Sequence, residues 1–98
     1  MPEETEVSVA IASAAPNAYR VRVRVRDAHG ETAHEVTLAR ALLERLAPGE
    51  PADVFVERCF AFLLEREPKE SILRSFDVSV IGRYFPEFET KIARRPIT

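Results

Sequence analysis

Length, composition and charge place this chain among ordinary globular domains. It has 98 residues, of which 46% are hydrophobic and 31% are charged, and its formal net charge is −2 at pH 7. That length fits one domain, and the composition excludes an intrinsically disordered chain. A net negative charge is uncommon for a dedicated nucleic-acid binder, although a local basic patch can still bind nucleic acid.

The sequence also predicts where the protein resides. Its apolar runs fall short of the roughly 20 residues that a membrane-spanning helix needs, and its first residues, MPEETE, are acidic where a secretory signal is basic. The single cysteine excludes an internal disulfide and suits a reducing compartment. Arginine greatly outnumbers lysine and alanine is abundant, as in GC-rich bacterial genomes. We therefore expect a soluble protein of the bacterial cytoplasm, with no membrane partner.

Three segments near the amino terminus alternate apolar and polar side chains, the pattern of a β-strand. They are VSVAIAS from residue 7, YRVRVRVRD from residue 19 and ETAHEVTL from residue 31. The second and third segments can form a hairpin in two registers that keep their apolar side chains on the same face. A two-residue turn at 29–30 pairs Arg24 with Glu35, and a four-residue turn at 27–30 pairs Arg22 with Glu35. Both registers place the valines on one face and a glutamate beside the arginines on the other.

The remaining sequence changes to helical spacing. We expect a first helix in LARALLERL (38–46), a broad-faced central helix in PADVFVERCFAFLLERE (51–67) and a short helix in KESILRSF (69–76) with Ile72, Leu73 and Phe76 inward. Asp77 is the expected N-cap of VSVIGRYF (78–85), and EFETK (87–91) can add one turn.

These elements predict an α+β fold with the order βββααα(α). It would consist of a three-stranded antiparallel meander with three to four helices on its valine face, leaving the arginine face outside. We expect a single domain over residues 7–90, a flexible acidic tail over 1–6 and a flexible tail over 91–98.

The arginine column of the second strand is the first candidate site: Arg20, Arg22, Arg24 and Arg26 project from one face. Such a column can bind nucleic-acid phosphates. Sheet-surface RNA binders add aromatic rings that stack on bases, and no ring shares this face. Glutamates at 4, 6, 31 and 35 instead favour a solvated face with weak ion pairs. Nucleic-acid binding is therefore the alternative function.

An aromatic cluster near the carboxyl terminus is the second candidate site. Tyr84, Phe85 and Phe88 surround Pro86, and they can either close the core or form an exposed groove for a partner peptide. Gly82 would permit the close approach of another backbone, either from a partner or from this chain.

The segment FAFLLEREPKESILRSFDVSVIGRYFPEFE, residues 60–89, resembles a group of small bacterial proteins of unassigned function. The shared phrase runs Glu-Arg-Glu-Pro, then Ile-Leu, then Phe-Asp-x-Ser-x-Ile, then Tyr-Phe-Pro-Glu, and covers about a third of the chain. The resemblance implies a compact stand-alone bacterial domain. It implies no catalytic residue.

No catalytic or metal-binding set emerges from the remaining residues. Cys59 falls within the apolar stripe of the central helix, and His29 and His34 have no third ligand at a useful spacing. We expect His34 to be a partnered residue at the edge of the core. The sequence thus predicts a non-enzymatic module without cofactors that binds a protein or peptide through Tyr84, Phe85 and Phe88. Its expected state is a monomer or a dimer paired through sheet edges.

Overall fold

The computed structural model describes residues 4–94, so the outermost parts of both predicted tails, 1–3 and 95–98, lie outside the described residues. The α+β class is confirmed. The elements in chain order are strands β1 (Glu6–Ala14), β2 (Ala18–Asp27) and β3 (Gly30–Ala39), helices α1 (Arg40–Leu46) and α2 (Ala52–Leu64), a 3₁₀ turn (Lys69–Ser71), strand β4 (Ser75–Asp77), and helices α3 (Ser79–Tyr84) and α4 (Phe88–Ile92).

The sheet has four strands in the order β1-β2-β3-β4, and β4 lies parallel to β3. The predicted three-stranded antiparallel sheet is therefore corrected to a mixed sheet, and the helix predicted over 69–76 is wrong. Its residues form the 3₁₀ turn and then an extended strand. Backbone hydrogen bonds from Glu35 N to Arg74 O at 2.7 Å and from Val78 N to Thr37 O at 2.9 Å satisfy the outer edge of β3. This pairing outweighs the local helical spacing.

The hairpin between β2 and β3 adopts the register that pairs Arg22 with Glu35 and Asp27 with Gly30. This is the register of the four-residue alternative, although Asp27 and Gly30 pair and the turn itself contains only residues 28 and 29. It confirms the prediction that glutamate lies beside the arginines. Gly30 has a φ of +136°, which a residue with a Cβ rarely adopts, so the turn requires glycine there.

The two faces of β2 differ completely in burial. Val21, Val23 and Val25 have no exposed surface, whereas the four arginines between and beside them are exposed. Helix α2 packs across β1 and β2 on the valine face, and its Phe55 and Phe60 are fully buried. The predicted central helix and its broad apolar face are confirmed.

The domain extends further at both ends than the predicted 7–90. Strand β1 starts at Glu6, and Ile92 is buried at the end of α4. The Arg58 guanidinium donates to Ile92 O at 2.8 Å, and Arg94 N donates to Leu46 O at 2.7 Å. These bonds attach the carboxyl-terminal segment to α1 and α2. Within residues 4–94 no helix combines the length and apolar character required to cross a membrane.

Candidate functional site

An apolar groove of about 390 Å³ lies between the end of α2, the segment that leads into β4, and helix α3. The backbone positions its walls: the extended chain after the 3₁₀ turn forms one side, and a short helix forms the other. The predicted N-cap is corrected by one residue: Val78 is the N-cap of α3, and Asp77, at the end of β4, accepts a hydrogen bond from Ser79 N at 2.9 Å. The lining residues are Leu63, Glu67, Ser71, Ile72, Leu73, Phe76, Val80, Ile81, Tyr84 and Phe85.

The groove presents unusually exposed apolar side chains. Tyr84 is 68% exposed and Leu73 is 50% exposed, more than the other exposed large hydrophobic residues in the described chain, Ile11 and Val54, at 41% each. Scattered exposed apolar residues are normal on a protein surface, but contiguous ones mark interaction sites. Here the two most exposed residues belong to one concave surface.

The three residues of the predicted aromatic cluster lie in two different environments. Tyr84 and half-buried Phe85 line the groove, but Phe88 is only 1% exposed, so the prediction that Phe88 contacts a partner directly is corrected. Phe88 packs against Phe62 with ring centroids 5.1 Å apart, and Phe85 contacts the same ring at 5.9 Å. Phe88 is buried because α4 packs against α2, and it supports the groove from within the core.

Leu73 is the groove residue whose predicted position is wrong. Helical spacing predicts an inward side chain there, but the extended backbone between the 3₁₀ turn and β4 leaves Leu73 half exposed. The helix-like pattern of PKESILRSF conceals it in the sequence. Pro68 does not reveal it either, because a proline ring fixes only φ, and Pro51 has a similar backbone yet precedes helix α2.

One charged side chain lines the groove. The Glu67 carboxylate has no hydrogen bond or ion pair among residues 4–94, although the residue is half-buried. Its neighbour Arg66 is engaged elsewhere, with its guanidinium carbon 3.6 Å from the centroid of the Phe62 ring and its Nε donating to Glu87 at 3.2 Å. The groove is therefore apolar with a single negative charge.

Gly82 does not mark a close approach within this chain. A Cβ built at this position would meet no atom within 4 Å, and the residue is half-buried on α3. Of the two alternatives for Gly82, close approach of this chain's own backbone is therefore not found among the described residues.

The arginine face is only partly paired. Arg26 donates to Glu6 at 2.6 Å, and this hydrogen bond raises the pKa of Arg26. Arg20 donates to Glu35 at 3.4 Å. Within the part of the chain that the structure describes, Arg22 and Arg24 have no such partner. The face also lacks aromatic side chains, because its neighbours on β1 and β3 are small or acidic.

His34 and Cys59 both belong to the buried part of the domain. His34 is buried, its Nδ1 lies 2.8 Å from Leu73 O, and its Nε2 lies 2.9 Å from Thr32 Oγ1. A carbonyl only accepts hydrogen bonds, so Nδ1 carries the proton in the first contact. Burial raises the pKa of the Cys59 thiol, which disfavours the reactive thiolate. Among residues 4–94, no three His, Cys, Asp or Glu side chains are grouped as a metal would require.

Comparison of the chain with models of protein families, with curated proteins and with solved structures yields no match. The resemblance of residues 60–89 to small bacterial proteins stays a prediction. Two surfaces, the apolar groove and the arginine face, are therefore the candidates for function.

Proposed function

We propose that this protein is a non-enzymatic interaction module of the bacterial cytoplasm that binds an amphipathic segment of a partner protein in the apolar groove. The observation that carries the proposal is the joint exposure of Tyr84 and Leu73 on one concave surface. Leaving both side chains in water forgoes the stabilisation that their burial would give, and a partner recovers it.

The lining determines the chemistry of the partner. Most of the groove is apolar, so the bound segment presents apolar side chains to Leu73, Phe76 and Phe85, which are exposed or half-buried. Glu67 contributes a carboxylate without a partner among the described residues, so a lysine or arginine at the edge of the segment would complement it. The partner is therefore amphipathic and basic on its polar side.

The openness of the groove favours a polypeptide over a small molecule. Small-molecule sites typically bury 70–90% or more of the ligand surface. Two lining residues here are at least half exposed, so the groove is shallow and holds only one side of a ligand. A peptide segment requires only one covered side, and tyrosine is a common anchor of such interfaces.

Selection from a displayed library of random peptides tests this proposal, because it does not require the natural partner. We expect the selected peptides to share apolar residues and at least one basic residue. Tyr84→Ser and Leu73→Ser should each weaken the binding of a selected peptide by about tenfold, as expected for interface anchors. Glu67→Gln should weaken basic peptides more than their neutral analogues.

Val54→Ser is the matched control, because Val54 is 41% exposed but lies on α2 outside the groove. It should leave peptide binding unchanged. The proposal would be overturned if no peptide were selected, or if the selected peptides bound the groove variants and the control equally.

A further inference from the structure

A second surface, on the arginine face, carries three basic side chains that share a depression of about 290 Å³. Arg22 and Arg24 come from β2, and Arg74 comes from the segment that enters β4. Among residues 4–94, the basic side chains without a hydrogen bond or ion pair are these three together with Arg83 and Lys91. Three of these five unpaired basic side chains of the described chain therefore lie at one place.

The register of the sheet explains the depression. Ala33 on β3 lies opposite Arg24, and Ser8 and Ala10 on β1 lie opposite Arg24 and Arg22. Of these small side chains, Ala33 lines the depression and forms a low floor beside the longer arginines. Arg22 and Arg24 are two residues apart on one strand, so their Cα atoms are separated by about 6.6–6.8 Å along the strand.

Strand β4 supplies the third guanidinium. Arg74 O accepts a hydrogen bond from Glu35 N at 2.7 Å, which fixes the Arg74 backbone beside β3. Glu35 is the one carboxylate that lines the depression, and it is already paired with Arg20 at 3.4 Å. The other three guanidinium groups form no ion pair within the described chain, and Glu35, opposite Arg22, leaves the depression with a net positive charge.

We propose that Arg22, Arg24 and Arg74 form a binding site for a phosphate group. Each guanidinium presents a planar set of donors that matches phosphate oxygens, and three such groups complement a tetrahedral dianion. A carboxylate is a poorer match, because one guanidinium fork already satisfies both of its oxygens. A free phosphate compound supplies this dianion with its terminal group, whereas in a nucleic-acid strand each guanidinium would contact a separate, singly charged diester group.

This site differs from the four-arginine column that the sequence suggests. The column would use Arg20 and Arg26, which the structure pairs with Glu35 and Glu6, and would not involve Arg74. The two arrangements therefore predict different effects of the same substitutions.

Amide NMR titrations with inorganic pyrophosphate and with a short oligothymidylate, at matched ionic strength, test the proposal. We expect saturable shifts at Ala33 and Glu35. Arg74→Ala should weaken binding by about tenfold or more, as expected for the loss of hydrogen bonds to a charged group. Saturation by pyrophosphate assigns a free phosphate compound, and saturation by the oligonucleotide alone assigns a nucleic-acid strand.

The test variants are Arg74→Ala and the double variant Arg22→Ala/Arg24→Ala, and each has a control variant that removes the same number of positive charges elsewhere. Arg83→Ala matches Arg74→Ala, and the double variant Arg26→Ala/Arg83→Ala matches Arg22→Ala/Arg24→Ala while it keeps the Arg20–Glu35 pair intact. Both controls should retain most of the binding, while the test variants lose it. Equal losses in test and control variants would overturn the site in favour of general charge attraction, and so would the absence of saturable shifts with both probes.

These variants lie outside the apolar groove. Failure of the phosphate site would therefore leave the proposed peptide binding untouched.

Discussion

Lys69 Nζ lies 2.8 Å from Oδ1 of Asp27, although the two residues are 42 positions apart in the chain. The Lys69 side chain is 2% exposed, and its ammonium also donates to Glu70. Asp27 accepts a further hydrogen bond from His29 N at 2.8 Å. A single buried ammonium thus joins the turn between β2 and β3 to the 3₁₀ turn that follows α2.

This pair makes stability depend on pH. The hydrogen bond from Lys69 lowers the pKa of Asp27 below its ordinary 3.8 and that of Glu70 below its ordinary 4.5. A carboxyl with a lowered folded-state pKa stabilises the fold above its unfolded pKa, and this contribution is lost as the pH falls through the folded-state value. The pKa of Lys69 is raised by Asp27 and Glu70, so its contribution is lost only at strongly alkaline pH.

We expect Lys69→Met to lower the free energy of unfolding at neutral pH, and to lower it much less in acid well below the ordinary Asp27 pKa of 3.8. Urea denaturation across this pH range measures both differences. Lys91→Met, the same substitution at an exposed position, should have little effect at either pH. An equal loss at neutral and acidic pH would contradict the electrostatic role of Lys69.

Gly82→Ala should stabilise the domain by up to about 1 kcal/mol, because glycine is unfavourable inside a helix. The added Cβ meets no atom within 4 Å. Gly49→Ala is the contrasting variant, since Gly49 has a φ of +83° and the same substitution should destabilise there. Thermal unfolding of both variants checks the prediction, and a lower melting temperature for Gly82→Ala would refute it.

Val23→Ala should cost about 2 kcal/mol, since it removes two buried methyl groups and leaves a cavity. Val23 is 0% exposed between the sheet and α2. Arg22→Ala, on the opposite face of the same strand, should leave the free energy of unfolding almost unchanged. Chemical denaturation of the two variants measures the difference, and similar losses would contradict the assignment of the faces.

Arg58→Met should destabilise the protein by about 3 kcal/mol, because it leaves the Glu50 carboxylate without its main partner in a site where the Glu50 side chain is only 9% exposed. Arg58 Nε donates to Glu50 at 2.8 Å, and its NH1 group donates to Ile92 O. Hydrogen exchange of the Arg94 amide, which bonds to Leu46 O, should accelerate.

Arg45→Met is the comparison for Arg58→Met, since Arg45 forms a two-bonded pair with Glu89 on the exposed surface. Exposed pairs contribute little, so its effect should be much smaller. Equal losses from the two variants would show that burial of the Arg58 pair does not matter.

Much of the amino-terminal half was predictable from local pattern. Alternation in YRVRVRVRD assigns Val21, Val23 and Val25 to the core and the arginines to solvent, because a strand places successive side chains on opposite faces. The requirement that apolar side chains of both strands share one face also left only two possible registers for the hairpin between β2 and β3. The structure adopts one of these two registers. Helix α2 was predictable because apolar residues recur at helical spacing and form a wide stripe along one side of it.

Both candidate sites, by contrast, depend on contacts between distant segments. The sequence by itself determined which strand faces are buried and which helix is central, because these follow from side-chain periodicity within each element. Only the tertiary structure decided that residues 75–77 pair with β3, since that pairing satisfies backbone groups of a strand far earlier in the chain. The same pairing exposes Leu73 in the groove and carries Arg74 to the arginine face.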